Sequence, residues 1–380
     1  AMGGDERLTP NLDALIEGGV LMERCYSVGR RTTAGVSGII CGYPDLPGES
    51  VTTRPEAQGS FLTLGRVLRE REYETMFIYG GQPMYDHRQA FFGSNGFSRM
   101  VFRDEFDHKT FSNHLGLCDE DLFMEADRVF RMMGDEPFFA TLLTLSFHRP
   151  FTIPEGKVEP VDPSDPRAAE LDSIRYTDYA IGRFMEKARE SEYFDDTIFV
   201  FAADHMGDFA VKPIEPHDYR VPFLIYAPGI LGEEGRRIDR VCSQTDIAPT
   251  IMSLLGGRYR HSFFGSDVLS RQEGRGVALF QDSSSYVGMI DADGYAVKIP
   301  YNSSPRLYRV RGVNRTEPVP ADTPGNREKR DALALQLKAI LQSAEDVFEA
   351  QSYNVDGSDV KRITPPRTPD RDAQTAKSVP

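Results

Sequence analysis

The chain has 380 residues, enough for one large domain or two smaller ones, and an ordinary globular composition of 40% hydrophobic and 27% charged residues. Its formal net charge of −14 argues against a nucleic-acid binder, because phosphate backbones need a basic surface, although a small basic pocket for one phosphate group stays compatible. No apolar run reaches the roughly 18 residues of a membrane span, and no signal peptide is visible. The four cysteines form no CxxC pair, which excludes a zinc finger and favours buried thiols.

Helix and strand patterns alternate through about residue 265. Thr9-Pro10 starts the first helix with a hydroxyl cap and a proline at the first helical position, and Gly18-Gly19 ends it. Further helices are predicted at 61–73, 119–133, 167–190 and from about 245, and apolar strands at 19–28, 75–81, 138–147, 197–205 and 221–229. Apolar strands between helices indicate an α/β fold with a mostly parallel sheet covered on both faces.

The C-terminal part has a different pattern. Segments 276–282, 285–291 and 295–300 predict an antiparallel meander, with a turn at Asp291–Gly294, and a helix follows at about 326–350. The tail from Gly357 is rich in proline and charge and is predicted to be disordered. We therefore expect one domain over residues 1–350, with a C-terminal subdomain at about 270–350, and a disordered tail over 351–380.

Polar residues follow three of the apolar strands. Asp204-His205 closes one strand, and a carboxylate beside an imidazole is typical of divalent-metal ligands. His148 follows a second strand, where an imidazole can donate to a phosphoryl oxygen or carry a proton. The alternatives are a polar pair satisfied by loop backbone and a capped surface histidine. Functional residues gather beyond the carboxyl ends of parallel strands, which favours the functional interpretation.

The third strand is followed by "YGGQPMYDHR", residues 79–88. Its glycines permit close approach of a ligand to the backbone. Asp86, His87 and Arg88 could contact a polar substrate, and arginine is suited to phosphate. The alternative is a solvated loop.

Two threonines, Thr32 and Thr33, precede a run of small residues in "GRRTTAGVSGIICGYPDLPG", residues 29–48. A helix that begins here would offer free N–H groups and a positive dipole to an anion. A threonine oxygen is a nucleophile only if a metal or a base lowers the pKa of the hydroxyl. The alternative is that one threonine caps the helix.

Together these segments resemble the alkaline phosphatase/sulfatase superfamily, and within it most closely the lipoteichoic acid synthase-like phosphoglycerol transferases. "LTPNLDALIEGGVLMERCYS" is similar to the segment that leads to the nucleophile in this superfamily. The matching stretches run in family order across about residues 8–270: "GRRTTAGVSGIICGYPDLPGES", "FIYGGQPMYDHRQAFFGSNGF", "GLCDEDLF", "TLSFHRPFTIPEG", "IFVFAADH", "VPFLIYAPG" and "SQTDIAPTIMSLLG". The resemblance implies an alkaline phosphatase-like α/β/α sandwich.

The resemblance also implies a nucleophile and a metal site. Alignment of the Pro/Gly turn without gaps places Thr32 on the nucleophilic threonine of the family, with Thr33 as the fallback. Asp204 and His205 match the metal-binding Asp-His pair, and the Thr32 oxygen is a further ligand. The implied metal is one divalent cation, Mn²⁺ first and Mg²⁺ or Zn²⁺ otherwise.

For the substrate, His148 matches the histidine that contacts the phosphate, and Arg88 matches an arginine of the glycerol-phosphate pocket. The aromatic residue that the family has beside this arginine is replaced here by Asp86-His87, and Tyr79 stands where some members have histidine. These departures affect which head group the pocket selects.

Two other groups of the superfamily are excluded because the sequence lacks the residues of their active sites. True sulfatases need a Cys or Ser in a C/S-x-P-x-R motif, and neither Cys25 nor Cys41 is followed by that pattern. Two-zinc alkaline phosphatases need more histidines, and His217 is a weak spare candidate.

A fourth metal ligand of the family, a glutamate at the end of a first strand upstream of "TPNLD", has no counterpart here, because Asp5 and Glu6 stand too close to the helix. We therefore expect the chain to be a fragment that starts after that strand and after the transmembrane helices of the family. The expected location is extracytoplasmic, on a bacterial membrane.

The implied reaction moves a phosphoglycerol-type head group from a phospholipid to a hydroxyl of a glycan or growing polymer, through a covalent phospho-threonine. Three alternatives stay open: hydrolysis by the same site as a phosphodiesterase or phosphatase, phosphoethanolamine transfer, and a non-catalytic domain that retains the fold.

Overall fold

Two central sheets organise the N-terminal part of the computed structural model, which describes residues 4–207, 214–270, 276–282 and 285–353. In chain order their strands are β1 (Val20–Tyr26), β2 (Glu74–Tyr79), β3 (Arg99–Phe102), β4 (Phe138–Leu143), β5 (Phe199–Ala202), β6 (Phe223–Tyr226) and β7 (Arg236–Ser243). One sheet has the order β5-β6-β1-β7 and the other the order β3-β2-β4. β2 is parallel to both of its neighbours and β1 is parallel to β7, whereas β6 is antiparallel to β1 and β5. The mostly parallel arrangement is confirmed, with β6 as its antiparallel member.

Helices cover both faces of these sheets. In chain order they are α1 (Pro10–Ile16), α2 (Thr32–Cys41), α3 (Leu64–Arg69), α4 (Arg88–Ser94), α5 (Asp119–Arg131), α6 (Ala168–Arg189), α7 (Pro228–Leu231) and α8 (Ile247–Leu255). One apolar core lies under α1, α5 and α6, and a second lies under α3 and α8. Phe138 and Ala140 pack in the first core and Phe139 in the second, because successive side chains of a strand point to opposite faces. The α/β/α sandwich is confirmed.

α3 is shorter than the predicted helix at 61–73. The hydroxyl of Thr63 accepts a hydrogen bond from the backbone N–H of Arg66 at 3.0 Å, so the helix starts after this N-cap. It ends at Arg69, and Glu72 then adopts a left-handed conformation with φ of 68°. Among the described residues, none of the helices combines the length and the apolarity that a membrane crossing requires.

A separate antiparallel sheet forms the C-terminal part. Its strands are β8 (Ala278–Asp282), β9 (Tyr286–Ile290), β10 (Tyr295–Pro300), β11 (Arg306–Arg311) and β12 (Arg315–Val319), in the order β12-β11-β10-β9-β8, and α9 (Pro324–Glu349) packs on it through Leu333 and Leu337. The predicted meander and helix are confirmed. The sheet has two more strands than the sequence predicts, because β11 and β12 are too charged to show an apolar pattern. The tail that the sequence predicts to be disordered lies outside the described residues from 354 onward, and the domain boundaries stay predictions.

A cavity of about 1950 Å³ lies along β4 and β5, the end strands of the two central sheets. Within the described residues, β4 pairs only with β2 and β5 pairs only with β6, so each strand has one free edge. Every residue of β4 and of β5 lines the cavity. The cavity therefore runs along both free edges and reaches the carboxyl ends of the two strands.

We expect alternate backbone amides of β4 and β5 to exchange with solvent deuterium much faster than those between them. The fast ones face the cavity, where water is their partner, while their neighbours are bonded within the sheets. Val20 and Leu21 of β1, which have partners in both β6 and β7, are the slow reference. Residue-resolved hydrogen exchange measured by NMR tests this, and uniform protection along β4 and β5 would contradict it.

Candidate active site

One cavity collects the residues that the sequence suggests for chemistry. They arrive from four strand ends, after β1, β2, β4 and β5. The cavity is lined by Thr32, Thr33, Tyr79, Asp86, His87, Arg88, His148, Asp204 and His205, and the spare candidate His217 is not among the lining residues. The structure therefore brings together the proposed nucleophile, the Asp-His pair and the proposed substrate contacts, and their individual roles stay predictions.

The nucleophile segment enters the site as the first turn of α2. Arg31 is the N-cap residue and its side chain makes no capping hydrogen bond, so within the described residues the first N–H groups of the helix are not capped by this residue. At Gly35, an added Cβ would lie 2.0 Å from the carbonyl oxygen of Asp204, which means that only glycine lets the helix pack this closely against the strand end. Thr32, one turn earlier, lies on the same side of the helix.

The two threonines differ in how their hydroxyls are used. The hydroxyl of Thr33 donates to Ser50 Oγ at 3.2 Å, and Ser50 donates in turn to Asp45 Oδ1 at 2.8 Å. Asp45 is buried, and burial raises the pKa of this carboxyl. Thr32 makes no side-chain hydrogen bond within the described part of the chain. Its hydroxyl is therefore the one of the two that is available for other chemistry.

A buried glutamine, which sequence reasoning missed, connects two of the strand ends. Gln244 Oε1 accepts a hydrogen bond from the N–H of Val28 at 2.9 Å. Its Nε2 donates to the carbonyl oxygens of Ala203 at 2.8 Å and Asp204 at 2.7 Å. Gln244 has an exposed fraction of 0%, so this amide fixes the chain before Thr32 relative to the Asp-His pair. Its only sequence signal is that a polar residue directly follows β7.

The Asp-His pair is half-buried at the end of β5. His205 Nδ1 lies 2.7 Å from the carbonyl oxygen of Met206. If Nδ1 carries the proton and donates it to this oxygen, Nε2 has a free lone pair. Asp204 Oδ1 accepts from the N–H of His205 at 2.9 Å, and Oδ2 lies 3.6 Å from His205 Nε2.

The donor set fits an open catalytic metal site. A carboxylate, an imidazole and the Thr32 hydroxyl would supply three protein ligands, one fewer than the set that the family resemblance implies. Oxygen and nitrogen ligands suit Mn²⁺, Mg²⁺ or Zn²⁺. Over the residues that the structure describes, no group of three His, Cys, Asp or Glu side chains is arranged to hold a metal.

His148 is exposed at the cavity, on a loop that a buried aspartate holds. Asp119 Oδ1 accepts from the N–H groups of Leu145 at 2.7 Å and Ser146 at 3.0 Å, and Oδ2 accepts from the hydroxyl of Thr177 at 2.7 Å. Burial raises the pKa of Asp119 despite these hydrogen bonds. The sequence segment "GLCDEDLF" contains Asp119, but nothing in it indicates that the partner is the loop after β4.

Arg88 is the most completely buried cation of the site, with an exposed fraction of 6%. Its guanidinium lies over the rings of Tyr79 and Tyr85, 4.3 and 4.9 Å from their centroids, and Nη2 lies 3.0 Å from Asp86 Oδ2. Nη1 is buried and has no hydrogen-bond partner within the described residues. Asp86 and His87 both have positive φ, 50° and 57°, so this short turn is strained.

The remaining sequence candidates have structural roles. His217 Nδ1 lies 2.8 Å from the hydroxyl of Thr316 in the C-terminal sheet, which accounts for the spare histidine. Cys25 and Cys242 are register partners in β1 and β7, and the four cysteines are buried free thiols, as their scattered spacing favours.

A helix N-terminus and a buried arginine in one cavity favour the binding of a phosphate or sulfate group. Comparison with known families gives the same result. The model of the Sulfatase family matches residues 1–257, more than half of the chain. The chain belongs to the sulfatase family.

Three individual proteins are similar to this chain. A lipoteichoic acid synthase-like protein of Bacillus subtilis is 27% identical over 290 residues, which are 70% of this chain and 46% of that protein. Phosphoglycerol transferase I of Xanthomonas euvesicatoria is 25% identical over 322 residues, 80% of this chain and 45% of that protein. A crystal structure of an alkaline phosphatase superfamily protein from Vibrio parahaemolyticus superposes with a TM-score of 0.81 at 30% identity, covering 92% of this chain and 83% of that one. The chain spans about half the length of these curated relatives.

We expect Gln244→Leu to lower the free energy of unfolding by about 2–4 kcal/mol. The substitution leaves the buried Val28 N–H without its partner, at roughly 1–3 kcal/mol, and removes the donor to the half-buried carbonyls of Ala203 and Asp204, at a smaller cost. The matched control is Gln342→Leu, an exposed glutamine of α9, for which we expect a change within about 0.5 kcal/mol. Urea unfolding of both variants measures the two changes in free energy of unfolding. Equal changes would contradict the structural role of Gln244.

Proposed function

We propose that this chain carries the catalytic domain of a phosphotransferase that moves a phosphoglycerol-type head group from a phospholipid to a hydroxyl acceptor. The observation that carries the proposal is the position of Thr32, at the uncapped N-terminus of α2 and in one cavity with Asp204, His205 and Arg88. The names of the two curated relatives, a lipoteichoic acid synthase-like protein and a phosphoglycerol transferase, support the same chemistry.

In the proposed first step, the Thr32 oxygen attacks the phosphorus of the head group and the diacylglycerol oxygen leaves. A phospho-threonine that carries the head group remains on the protein. An acceptor hydroxyl then attacks its phosphorus, and the Thr32 oxygen leaves. Asp204, His205 and Thr32 are the residues that would hold a divalent cation, Mn²⁺ in the first place, whose Lewis acidity lowers the pKa of the attacking hydroxyl. The free N–H groups of α2 favour the negative charge that develops beside Thr32.

The other residues of the cavity have proposed roles in binding. Arg88 donates from its guanidinium to the phosphoryl or head-group oxygens, and the rings of Tyr79 and Tyr85 hold this group in place. His148 donates to a phosphoryl oxygen from the opposite loop. Asp86 and His87 line the part of the cavity that takes the head group.

The proposed partners are a phospholipid and the hydroxyl of a glycan or growing polymer, with no nucleic acid. The strongly acidic chain supports the last point. The proposed setting is the extracytoplasmic face of a bacterial membrane, an inference from the resemblance of the site segments.

We expect Thr32→Ala to abolish a covalent adduct that Thr33→Ala leaves in place. Incubation with phosphatidylglycerol and Mn²⁺, without acceptor, should add a glycerophospho group to the peptide that contains Thr32, detected by mass spectrometry. Thr33→Ala is the matched control, because it removes the neighbouring hydroxyl and its bond to Ser50. An adduct that survives Thr32→Ala and disappears in Thr33→Ala would move the nucleophile by one residue.

Product analysis separates transfer from hydrolysis. With phosphatidylglycerol, Mn²⁺ and a glycan acceptor, we expect diacylglycerol and a glycerophospho-glycan, because the acceptor hydroxyl takes the group from Thr32. Free glycerol phosphate, formed at the same rate with or without the glycan, would instead make the protein a phosphodiesterase. Faster turnover of phosphatidylethanolamine would identify a phosphoethanolamine transferase, and no release of diacylglycerol from either lipid would contradict phosphotransfer by this chain.

A further inference from the structure

Three loops at the mouth of the cavity are joined to one another. They comprise residues 82–88, 113–117 and 147–152. Gly81 and Gly116, beside the first two loops, form a β-bridge. The side chain of Asn113 donates to the hydroxyl of Thr152 at 3.1 Å, which connects the second loop to the third. The three loops therefore form one continuous edge around the opening.

This edge has an apolar surface, which we call the rim. Its members are Met84, Tyr85, Leu115, Phe147 and Phe151. Met84 has an exposed fraction of 76% and Tyr85 of 49%, and they are adjacent in the chain. Leu115, Phe147 and Phe151 line the cavity, and the two phenylalanine rings stack with centroids 5.8 Å apart. Met84 and Tyr85 are the exposed members and the other three are half-buried, and exposed apolar side chains that border a binding cavity mark an interaction surface.

Two exposed arginines stand beside the rim, in contrast to the net charge of −14 of the whole chain, and the exposed Glu49 is the acidic residue that also lines the cavity there. Arg149 is exposed, and its guanidinium lies 5.8 Å from the ring centroid of Phe151. His87 and His148 are also exposed on these loops, and Arg31 is exposed beside Thr32. The carboxylate of Asp86 is paired with Arg88. An apolar edge flanked by cations is complementary to an anionic lipid surface.

We propose that the rim docks on the surface of an anionic phospholipid bilayer, with Met84 and Tyr85 entering the boundary between head groups and acyl chains. This inference rests on the proposed function, since it takes the donor to be a membrane lipid. The phosphorus of such a lipid lies only a few bonds from the acyl glycerol, so a cavity that receives the phosphorus must approach the bilayer closely. Docking lets the head group enter the cavity while the acyl chains stay in the membrane.

The first test is co-sedimentation with vesicles of phosphatidylcholine and phosphatidylglycerol in equal parts. We expect Met84→Asp to weaken binding about tenfold, because it removes a methionine from the boundary and adds a charge that the anionic surface repels. Met84→Leu should bind like the unchanged protein. The matched control is Met132→Asp: Met132 is 64% exposed at the end of α5, before the amino end of β4 and outside the three loops, and its replacement should leave binding unchanged. Equal binding by Met84→Asp and Met132→Asp would overturn the proposal.

The second test compares two substrates, phosphatidylglycerol in the same vesicles and a water-soluble aryl ester of glycerol phosphate. We expect Met84→Asp to raise KM about tenfold for the lipid and to leave kcat/KM for the soluble ester unchanged, because only the lipid must be reached on a surface. An equal loss on both substrates would place Met84 inside the reaction site and overturn docking. If the unchanged protein uses neither substrate, the proposed function fails, and the vesicle measurement still decides whether the rim binds lipid.

Discussion

The site depends on one buried amide, the side chain of Gln244. It accepts from the chain that leads to Thr32, through Val28, and donates to the chain that ends in Asp204. β1 and β5 lie in the same sheet but are separated by β6, so no ladder hydrogen bond joins their ends directly. A fully buried side chain with satisfied donors and acceptor holds its partners in one geometry, because every alternative leaves a polar group unpaired in an apolar surrounding. Beside it, α2 approaches the carbonyl of Asp204 at Gly35, where an added Cβ would lie 2.0 Å from that oxygen.

Buried polar side chains also hold the segments that carry the other reactive groups. Asp119 holds the loop of His148 through two backbone N–H groups, and Asp45 receives the hydrogen-bond chain that starts at Thr33. Asp246, close to Gln244, accepts from two further backbone N–H groups, and burial raises its pKa to about 6. Each of these buried acids costs desolvation and in return fixes a chain segment at the cavity. The exposed groups are therefore preorganised, so binding a substrate does not require a loss of conformational entropy to place them.

Sequence patterns predicted the parts of this molecule that depend on local periodicity. The apolar strands and the polar residues directly after them led to Asp204, His205 and His148, because a strand of the central sheets is recognisable within a few residues. Gln244 and Asp119 could not be found in this way, since their partners stand far away in the chain and a buried polar residue has no local pattern. β11 and β12 were missed for a related reason: edge-side strands of an antiparallel sheet are half-exposed, so their charged residues hide the alternation.

The structure also distinguishes two threonines that the sequence leaves almost equivalent. If Thr33 attacked a phosphorus, its hydroxyl would have to leave Ser50, and the chain from Ser50 to the buried Asp45 would lose its outer donor. Thr32 needs no such rearrangement, because its hydroxyl has no partner to give up within the described residues. A nucleophile whose ground state is already free of competing hydrogen bonds starts closer to the geometry of attack. Thr33 is then best understood as part of the support that orients α2, and Thr32 as the group that this support presents to the cavity.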